Sequence, residues 1–220
     1  MRAIVMAGGQ GSRLKPFTMA VPKPLLRIDG EVLLDRILVL LLFHKFEVVV
    51  VVNYMGDAIR DHVKFVSSLV GRDISVLSEG DTPLGTAGIL PSILEDNEDA
   101  LVMNADLITN IDLTEMQACY RSSQKPLMMA VREVHHAVPY GVVNIANGAY
   151  NSMTEKPVST YMANAGIYIL NRKVLPATSM IWNMTDTINM LDAKDVGLYP
   201  ILPDVEWRDI GRHGDITRGR

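Results

Sequence analysis

Cysteine is almost missing from this chain. Cys119 is the only one in 220 residues, so no internal disulfide can form, and a lone thiol in a chain this long fits a reducing, cytoplasmic setting. The CxxC and HExxH spacings are missing too, which excludes zinc sites of those kinds. The five histidines are scattered apart from His135-His136, and adjacent residues of a strand point to opposite faces. Long apolar runs are lacking. The longest, Ile37 to Phe43, falls far short of the ~18 residues that a membrane span needs. The first, Ala3 to Ala7, is too short for a secretory leader and runs straight into Gly8-Gly9. Nor is there an excess of basic charge: 21 Lys and Arg stand against 25 Asp and Glu, a formal net charge of −4. That argues against nucleic acid or an acidic membrane as partner. A small phosphate pocket, which needs only a few local cations, stays open. No internal repeat, low-complexity tract or linker divides the sequence.

What is present reads as globular. Hydrophobic residues make up 48% and charged residues 21%, near globular averages. Strand-like and helix-like patterns alternate from the start. Ala3–Ala7 reads as a buried strand and Leu33–His44 as a helix with Leu34, Ile37, Leu38, Leu41 and Leu42 on one face. The valines from Val48 to Val52 fit a strand buried on both faces. Asp57–Val70 reads as a helix, Ile74–Leu77 as a strand, and Thr86–Leu94 as a helix that Pro91 would kink or interrupt. Ala100–Asn104 and Leu127–Arg132 read as strands, with a helix over Leu113–Ser122 between them. This order predicts an α/β fold with a doubly wound, mostly parallel sheet. Tyr140–Ile145 and Ala165–Leu170 follow as strands with little helix between them, so added antiparallel strands and a flap over the sheet edge are expected there. The expectation is a single domain over residues 1–220, with a nucleotide-binding half to about residue 130 and a second half over about 131–215.

In open α/β sheets, ligands sit at the carboxyl ends of the strands. The segment Ala7-Gly8-Gly9-Gln10-Gly11-Ser12-Arg13 follows the first strand. Glycines let backbone N–H groups approach a phosphate, and Arg13 adds a forked cation. It is neither a P-loop nor a Rossmann fingerprint, since GxxxxGK[ST] is absent and Leu14 stands where the third glycine would be. Next comes Val21-Pro22-Lys23-Pro24-Leu25. Prolines on both sides of a lysine stiffen its backbone, as suits an ammonium aimed at phosphate. Asp106, just after a strand, and Asp209, in Trp207-Arg-Asp-Ile-Gly211, are candidate carboxylates.

The segments GGQGSRLKPFT and PKPLLRIDG resemble the sugar-1-phosphate nucleotidylyltransferase family. Later segments resemble it in the same order: Asn53-Tyr54, Leu84-Gly-Thr-Ala-Gly88, Asn104-Ala-Asp106, Tyr140-Gly141, Glu155-Lys-Pro157, Asn164-Ala-Gly166 and Trp207-Arg-Asp-Ile-Gly211. The resemblance spans about residues 3 to 215. It implies a Rossmann-like core and an enzyme that joins a nucleoside triphosphate to a sugar 1-phosphate, releasing pyrophosphate. It implies that Arg13 and Lys23 are catalytic and grip the triphosphate. Ala7, Gly8, Gly9, Gly11, Ser12, Asn53, Gly85, Thr86 and Asp106 would complete the nucleotide site. Gly141, Glu155, Lys156 and Asn164 would bind the sugar phosphate, and Asp106 and Asp209 would hold Mg²⁺.

Thr82-Pro-Leu-Gly-Thr-Ala-Gly88 is most similar to guanylyltransferase branches, which puts GTP first, then UTP, then dTTP. The implied partners are thus a nucleoside triphosphate and a sugar 1-phosphate, in a cytoplasmic monomer or homodimer. No C-terminal β-helix or regulatory module is expected within this length. One departure stands out: Ala105 replaces the family's usual glycine before the metal aspartate. If that position needs φ > 0, alanine is strained there. The alternative reading is a catalytically silent, nucleotide-sugar-sensing subunit on the same fold.

Overall fold

The computed structural model describes residues 1–217. Residues 218–220, which the single-domain expectation includes, lie outside the described residues. The chain opens with β1 (Arg2–Met6), the short pair β2 (Arg27–Ile28) and β3 (Glu31–Val32), α1 (Leu33–Phe43) and β4 (Glu47–Val52). It continues with α2 (Gly56–Val70), β5 (Ile74–Ser78), α3 (Leu90–Ile93), β6 (Asp99–Asn104), β7 (Leu107–Thr109) and α4 (Leu113–Ser123). The later part holds β8 (Leu127–Ala137), β9 (Val142–Ala146), β10 (Ala149–Thr154), β11 (Val158–Asn171), α5 (Met184–Met190), β12 (Val196–Ile201), β13 (Trp207–Asp209) and α6 (His213–Thr217).

Seven strands form one sheet in the order β12-β8-β11-β6-β1-β4-β5. β1 lies parallel to β4 and to β6, β4 to β5, and β12 to β8. Only β11 runs against its neighbours, β6 and β8. The mostly parallel, doubly wound sheet read from the alternating pattern is therefore the observed architecture, with its antiparallel addition in the later part.

Alternation along each central strand builds two cores. Ala3, Val5, Val48, Val50, Leu101 and Met103 point to one face and meet α1, α2 and α4 through Leu38, Ile59, Val63 and Met116. Ile4, Val51, Ala100 and Val102 point to the other and meet Leu90, Ile93 and Met184. A five-valine strand between two helical layers has no polar side to show, which is why its sequence lacks alternation.

The helix expected over Thr86–Leu94 is a correction. Only Leu90–Ile93 is helical. Pro91 lies in the first turn, where its missing N–H costs nothing, so it starts the helix rather than kinking it. The preceding residues are drawn instead onto the chain at 180–184. Trp182 N–H donates to Leu84 O at 2.8 Å, Ala87 N–H to Trp182 O at 3.0 Å, and Met184 N–H to Thr86 Oγ1 at 2.8 Å. Gly85 has φ 83°, and a Cβ there would stand 2.6 Å from Trp182 O. That demand for glycine outweighs helix propensity. The expected strand over Tyr140–Ile145 starts at Val142, and the one over Ala165–Leu170 is the second half of the longer β11. His135 and His136 are both exposed.

One ion pair fastens the amino end of the sheet. Arg2 Nε donates to Glu98 Oε1 at 2.7 Å and its Nη2 to Oε2 at 2.5 Å. Burial alone would raise the Glu98 carboxyl. The Arg2 guanidinium and the Glu95 N–H outweigh it and hold the carboxyl below its ordinary value. A depressed carboxyl contributes stability above its unfolded pKa and loses it as pH falls through the folded one. Glu98→Gln should therefore lower stability by about 1–2 kcal/mol at neutral pH. The gap to wild type should close below the usual carboxylate range; melting curves of both proteins against pH check this, and a gap independent of pH would contradict it.

Candidate active site

The motif residues gather at the carboxyl ends of β1, β4, β5 and β6. Ala7 is buried and its N–H donates to Val51 O at 2.8 Å. The chain then turns away from the sheet. Gly11 has φ 59°, and a Cβ there would stand 2.9 Å from Thr18 Cγ2 and 3.1 Å from Lys23 Cβ, so only glycine lets this loop close on the lysine segment. Ser12 and Arg13 begin the short 3₁₀ turn Ser12–Leu14. Pro22 at φ −63° leads into a second such turn, Lys23–Leu25. That geometry delivers Lys23 into the protein: it is 8% exposed and its Nζ reaches Asp106 Oδ2 at 2.5 Å.

Asp106 and Asp209 are brought together by the backbone. β7, directly after Asp106, pairs antiparallel with β13, with Leu107 opposite Asp209. Ile210 N–H then donates to Asp106 O at 3.0 Å. Trp207 Nε1 donates to Ala165 O at 2.9 Å and ties this small ribbon to β11. Arg13 comes near the same acid: a Cβ placed on Gly211 would lie 3.6 Å from Asp209 Oδ2 and 3.7 Å from an Arg13 guanidinium nitrogen.

The electrostatics follow. Burial raises the Asp209 carboxyl above its ordinary value and the neighbouring Asp106 raises it further, while Lys23 and Arg13 pull it down. Asp106 Oδ1 is buried and, among the described residues, has no hydrogen-bond partner. Two carboxylates side by side, one with an orphaned oxygen, form an all-oxygen donor set suited to a hard divalent cation. Among the described residues no cluster of three or more His, Cys, Asp or Glu forms. Such an ion would therefore take its remaining oxygens from phosphate and water, as small hard cations do.

Next to this pair lies a cavity of about 240 Å³ whose lining includes Gly8, Gly9, Gly85, Thr86, Asn104 and Asp106. Asn104 also lines a smaller hollow of about 110 Å³, together with Asn164, Tyr168, Trp207 and Asp209. Asn164 is fixed there, donating to Tyr168 Oη at 2.7 Å and accepting from Gly166 N–H at 2.9 Å. Asn53 borders the cavity indirectly, its side chain donating to Gly80 O at 2.9 Å. A larger hollow of about 650 Å³ lies between α1, β3 and β7. Of the motif segments it holds only Arg27 and Gly30, neither an expected site residue, and its position away from the carboxyl strand ends makes it the poorer candidate.

Gly141, Glu155 and Lys156 form a separate cluster at the base of the β9–β10 hairpin. Lys156 N–H donates to Tyr140 O at 3.2 Å, and a Cβ on Gly141 would lie 3.0 Å from Glu155 Oε2. Among the described residues no hydrogen bond or ion pair joins this cluster to the aspartate pair. Lys156 has φ 45° immediately before Pro157, a left-handed backbone that a lysine adopts only at a cost of about 1 kcal/mol or more.

Sequence reasoning missed Glu79. It follows β5 and lines the same cavity. Its Oε2 stands 2.8 Å from where a Cβ on Gly8 would be, and its Oε1 is buried without a hydrogen-bond partner among the described residues. Burial raises its carboxyl, opposed by a hydrogen bond from the backbone of Leu84. Its signal was its place, an acidic residue at a carboxyl strand end. Asn104 and Trp207 were likewise parts of quoted motifs without an assigned role.

The glycine loop, the paired acids and the inserted lysine thus stand together at the carboxyl end of a doubly wound α/β sheet. The model of the nucleotidyl transferase family matches residues 2–219, and the chain belongs to that family. It is 30% identical over 230 residues to mannose-1-phosphate guanyltransferase beta-A of Xenopus laevis, covering 100% of this chain and 63% of that protein. It is 31% identical over 232 residues to mannose-1-phosphate guanylyltransferase 1 of Arabidopsis thaliana, with the same coverage. The chain thus spans less than two thirds of the length of these curated relatives. Among solved structures, HddC from Yersinia pseudotuberculosis complexed with GMP-PN shares the fold, at a TM-score of 0.76, 23% identity and coverage of 99% of this chain and 97% of that one.

Ala105 is unstrained. It is 3% exposed, lies outside the positive-φ residues, and its N–H donates to Met6 O at 3.1 Å. Ala105→Gly should therefore destabilise the fold by up to about 1 kcal/mol through backbone entropy. A fall in melting temperature is the expected result, and a rise would mean that alanine is held under strain.

Proposed function

We propose that this chain transfers a nucleoside monophosphate from a triphosphate, GTP by preference, to a sugar 1-phosphate. The observation that carries this reading is the placing of Asp106 and Asp209 side by side, with Lys23 and Arg13 against them and a glycine-lined cavity adjoining. A phosphate oxygen of the sugar 1-phosphate attacks the α-phosphorus, a new P–O bond forms, and the bond to the β-phosphate breaks to release pyrophosphate. The nucleophile is already an anion, so no general base is needed. Alignment and charge neutralisation are.

Each role falls to residues of this chain. Backbone N–H groups around Gly8, Gly9, Gly11 and Ser12 line the triphosphate, and Arg13 and Lys23 neutralise it. Asp106 and Asp209 would hold Mg²⁺, which when bound screens the phosphate charges that would otherwise repel the incoming anion. Asn53, Gly85 and Thr86 border the nucleotide. Asn164 would take sugar hydroxyls beside Asp209, with Gly141, Glu155 and Lys156 brought in from the hairpin. The single-domain reading of the chain, with its two halves, belongs to the same proposal.

Glu79 supports guanine. A carboxylate accepts from both N1–H and the exocyclic N2 amine of guanine, whereas uracil and thymine offer one N–H flanked by carbonyl oxygens that a carboxylate repels. The relaxed backbone at Ala105 and the presence of all four charged groups weigh against a silent sensing subunit. Among the described residues no helix is long and apolar enough to cross a membrane.

Pyrophosphate release from four triphosphates against a panel of sugar 1-phosphates tests the reading. GTP should lead, with mannose 1-phosphate among the accepted partners; no release with any pair would overturn the proposal. Glu79→Gln should cut the preference for GTP over UTP by about tenfold or more, because an amide presents a donor where two acceptors are needed. An unchanged ratio would remove Glu79 from base recognition. Lys23→Ala should mainly raise the KM for the triphosphate and Lys156→Ala that for the sugar 1-phosphate, so equal losses on both substrates would contradict the division.

A further inference from the structure

Asn104 ends β6 and plays no part in the chemistry described so far. Alternation puts it on the same face as Ala100 and Val102, which are buried in the second core. That face is apolar until Asn104 sets a half-buried amide at its end. Two asparagines of the adjoining strand β11 spend their amides on the protein. Asn164 donates to Tyr168 Oη at 2.7 Å, and Asn171 donates to Asp99 Oδ1 at 2.7 Å. The side chain of Asn104, in contrast, makes no hydrogen bond among the described residues.

The neighbouring strand makes room for this amide. β11 loses its register with β8 between Asn164 and Tyr168, and Gly166 stands in that interruption at φ 72°. A Cβ there would lie 2.7 Å from Asn104 Nδ2 and 3.2 Å from Asn104 Cγ. Glycine is thus required twice over, for the left-handed backbone and for the space. Asn164 Oδ1 pins the irregularity by accepting from Gly166 N–H at 2.9 Å. Interruptions of this kind are kept where a strand must aim a side chain.

Asn104 lines the cavity that Asp106 borders and also the hollow that Asp209 borders. No other residue is common to the two linings among the described residues. With the nucleotide in the first and the sugar in the second, the reacting phosphates meet between the two acids, beside this amide. Phosphate oxygens only accept hydrogen bonds. An amide offers them N–H groups without adding charge to a site where Lys23 and Arg13 already work against the two carboxylates. We propose that Asn104 is a catalytic residue, with Nδ2 donating to a non-bridging phosphate oxygen at the point of transfer. The contact tightens as the attacking oxygen closes on the α-phosphorus and negative charge gathers on the oxygens around it. Asn104 keeps its proton throughout; the P–O bonds that form and break are those of the proposed transfer, on which this assignment rests.

Steady-state kinetics of Asn104→Ala in both directions test it, using GTP with mannose 1-phosphate and GDP-mannose with pyrophosphate. Loss of a donor that acts in the transition state should lower kcat about a hundredfold. The two directions share that transition state, so they should fall alike, with each KM within about threefold of wild type. Calorimetry with GTP alone and with mannose 1-phosphate alone should show unchanged binding. A kcat within threefold of wild type would overturn the assignment. So would a loss confined to the KM of one substrate, which would make Asn104 the wall of a single cavity. Should the alanine variant misfold, Asn104→Asp decides. It keeps the shape but puts an anion where the donor stood, so retained turnover would refute the role. A wild type inert with every substrate pair would bring down the enzymatic reading and this assignment together, whereas an active wild type matched by its variants would bring down this assignment alone.

Discussion

The site depends on one short antiparallel contact, the pairing of β7 with β13. Leu107 opposite Asp209, closed by Ile210 N–H on Asp106 O at 3.0 Å, brings two acids from distant parts of the chain next to each other. Side-chain packing alone would not fix their relation so firmly, because a strand register shifted by one residue turns a side chain to the other face. The electrostatic consequence is an anion pair that the fold itself only half compensates. Lys23 and Arg13 lower the raised Asp209 carboxyl without removing the shift, and Asp106 Oδ1 is left unsatisfied. A pocket built this way favours a further cation, and with it a polyanion such as a triphosphate.

The doubly wound sheet supplies the frame on which that contact is useful. β1 and β6 are parallel neighbours, with Met6 beside Asn104, so the glycine loop and Asp106 leave the sheet at the same edge. The loop over Leu84–Gly88 reaches the cavity from the other face, strapped down by residues 180–184 through Trp182. The residues lining this cavity are thereby tied to the body of the fold. Gly141, Glu155 and Lys156 ride on an exposed hairpin, and the strained backbone of Lys156 at φ 45° is the kind of local cost that folds retain where function requires it.

Much of this was legible in the sequence where one local rule dominates. The valine run of β4, the leucine face of α1 and the stiff Pro22-Lys23-Pro24 each point to what the structure contains. The helix over Thr86–Leu94 was misread because its competitor lies nearly a hundred residues away: Trp182 claims the backbone of Leu84 and Ala87 before a helix can. Glu79 was passed over for a similar reason, since its place after β5 was its one signal. Nothing beside it in sequence marks it as half-buried against Gly8; only the packing of β5 beside β4 does so. β12 and β13 were missed because Tyr199-Pro200 and Trp207-Arg208 carry no alternating pattern, and tertiary pairing alone makes them strands. Of the β9–β10 hairpin only the first strand was read, as Tyr140–Ile145; β10 (Ala149–Thr154) was missed.

The central claim is that Asp106 and Asp209 act as one unit on one ion. A double-mutant cycle on kcat/KM, with Asp106→Asn, Asp209→Asn and the combined variant, tests it most directly. Residues that serve a single cation lose its effect together, so the double variant should be about as impaired as the worse single one. Losses that multiply, as those of independent sites do, would contradict the shared-ion account.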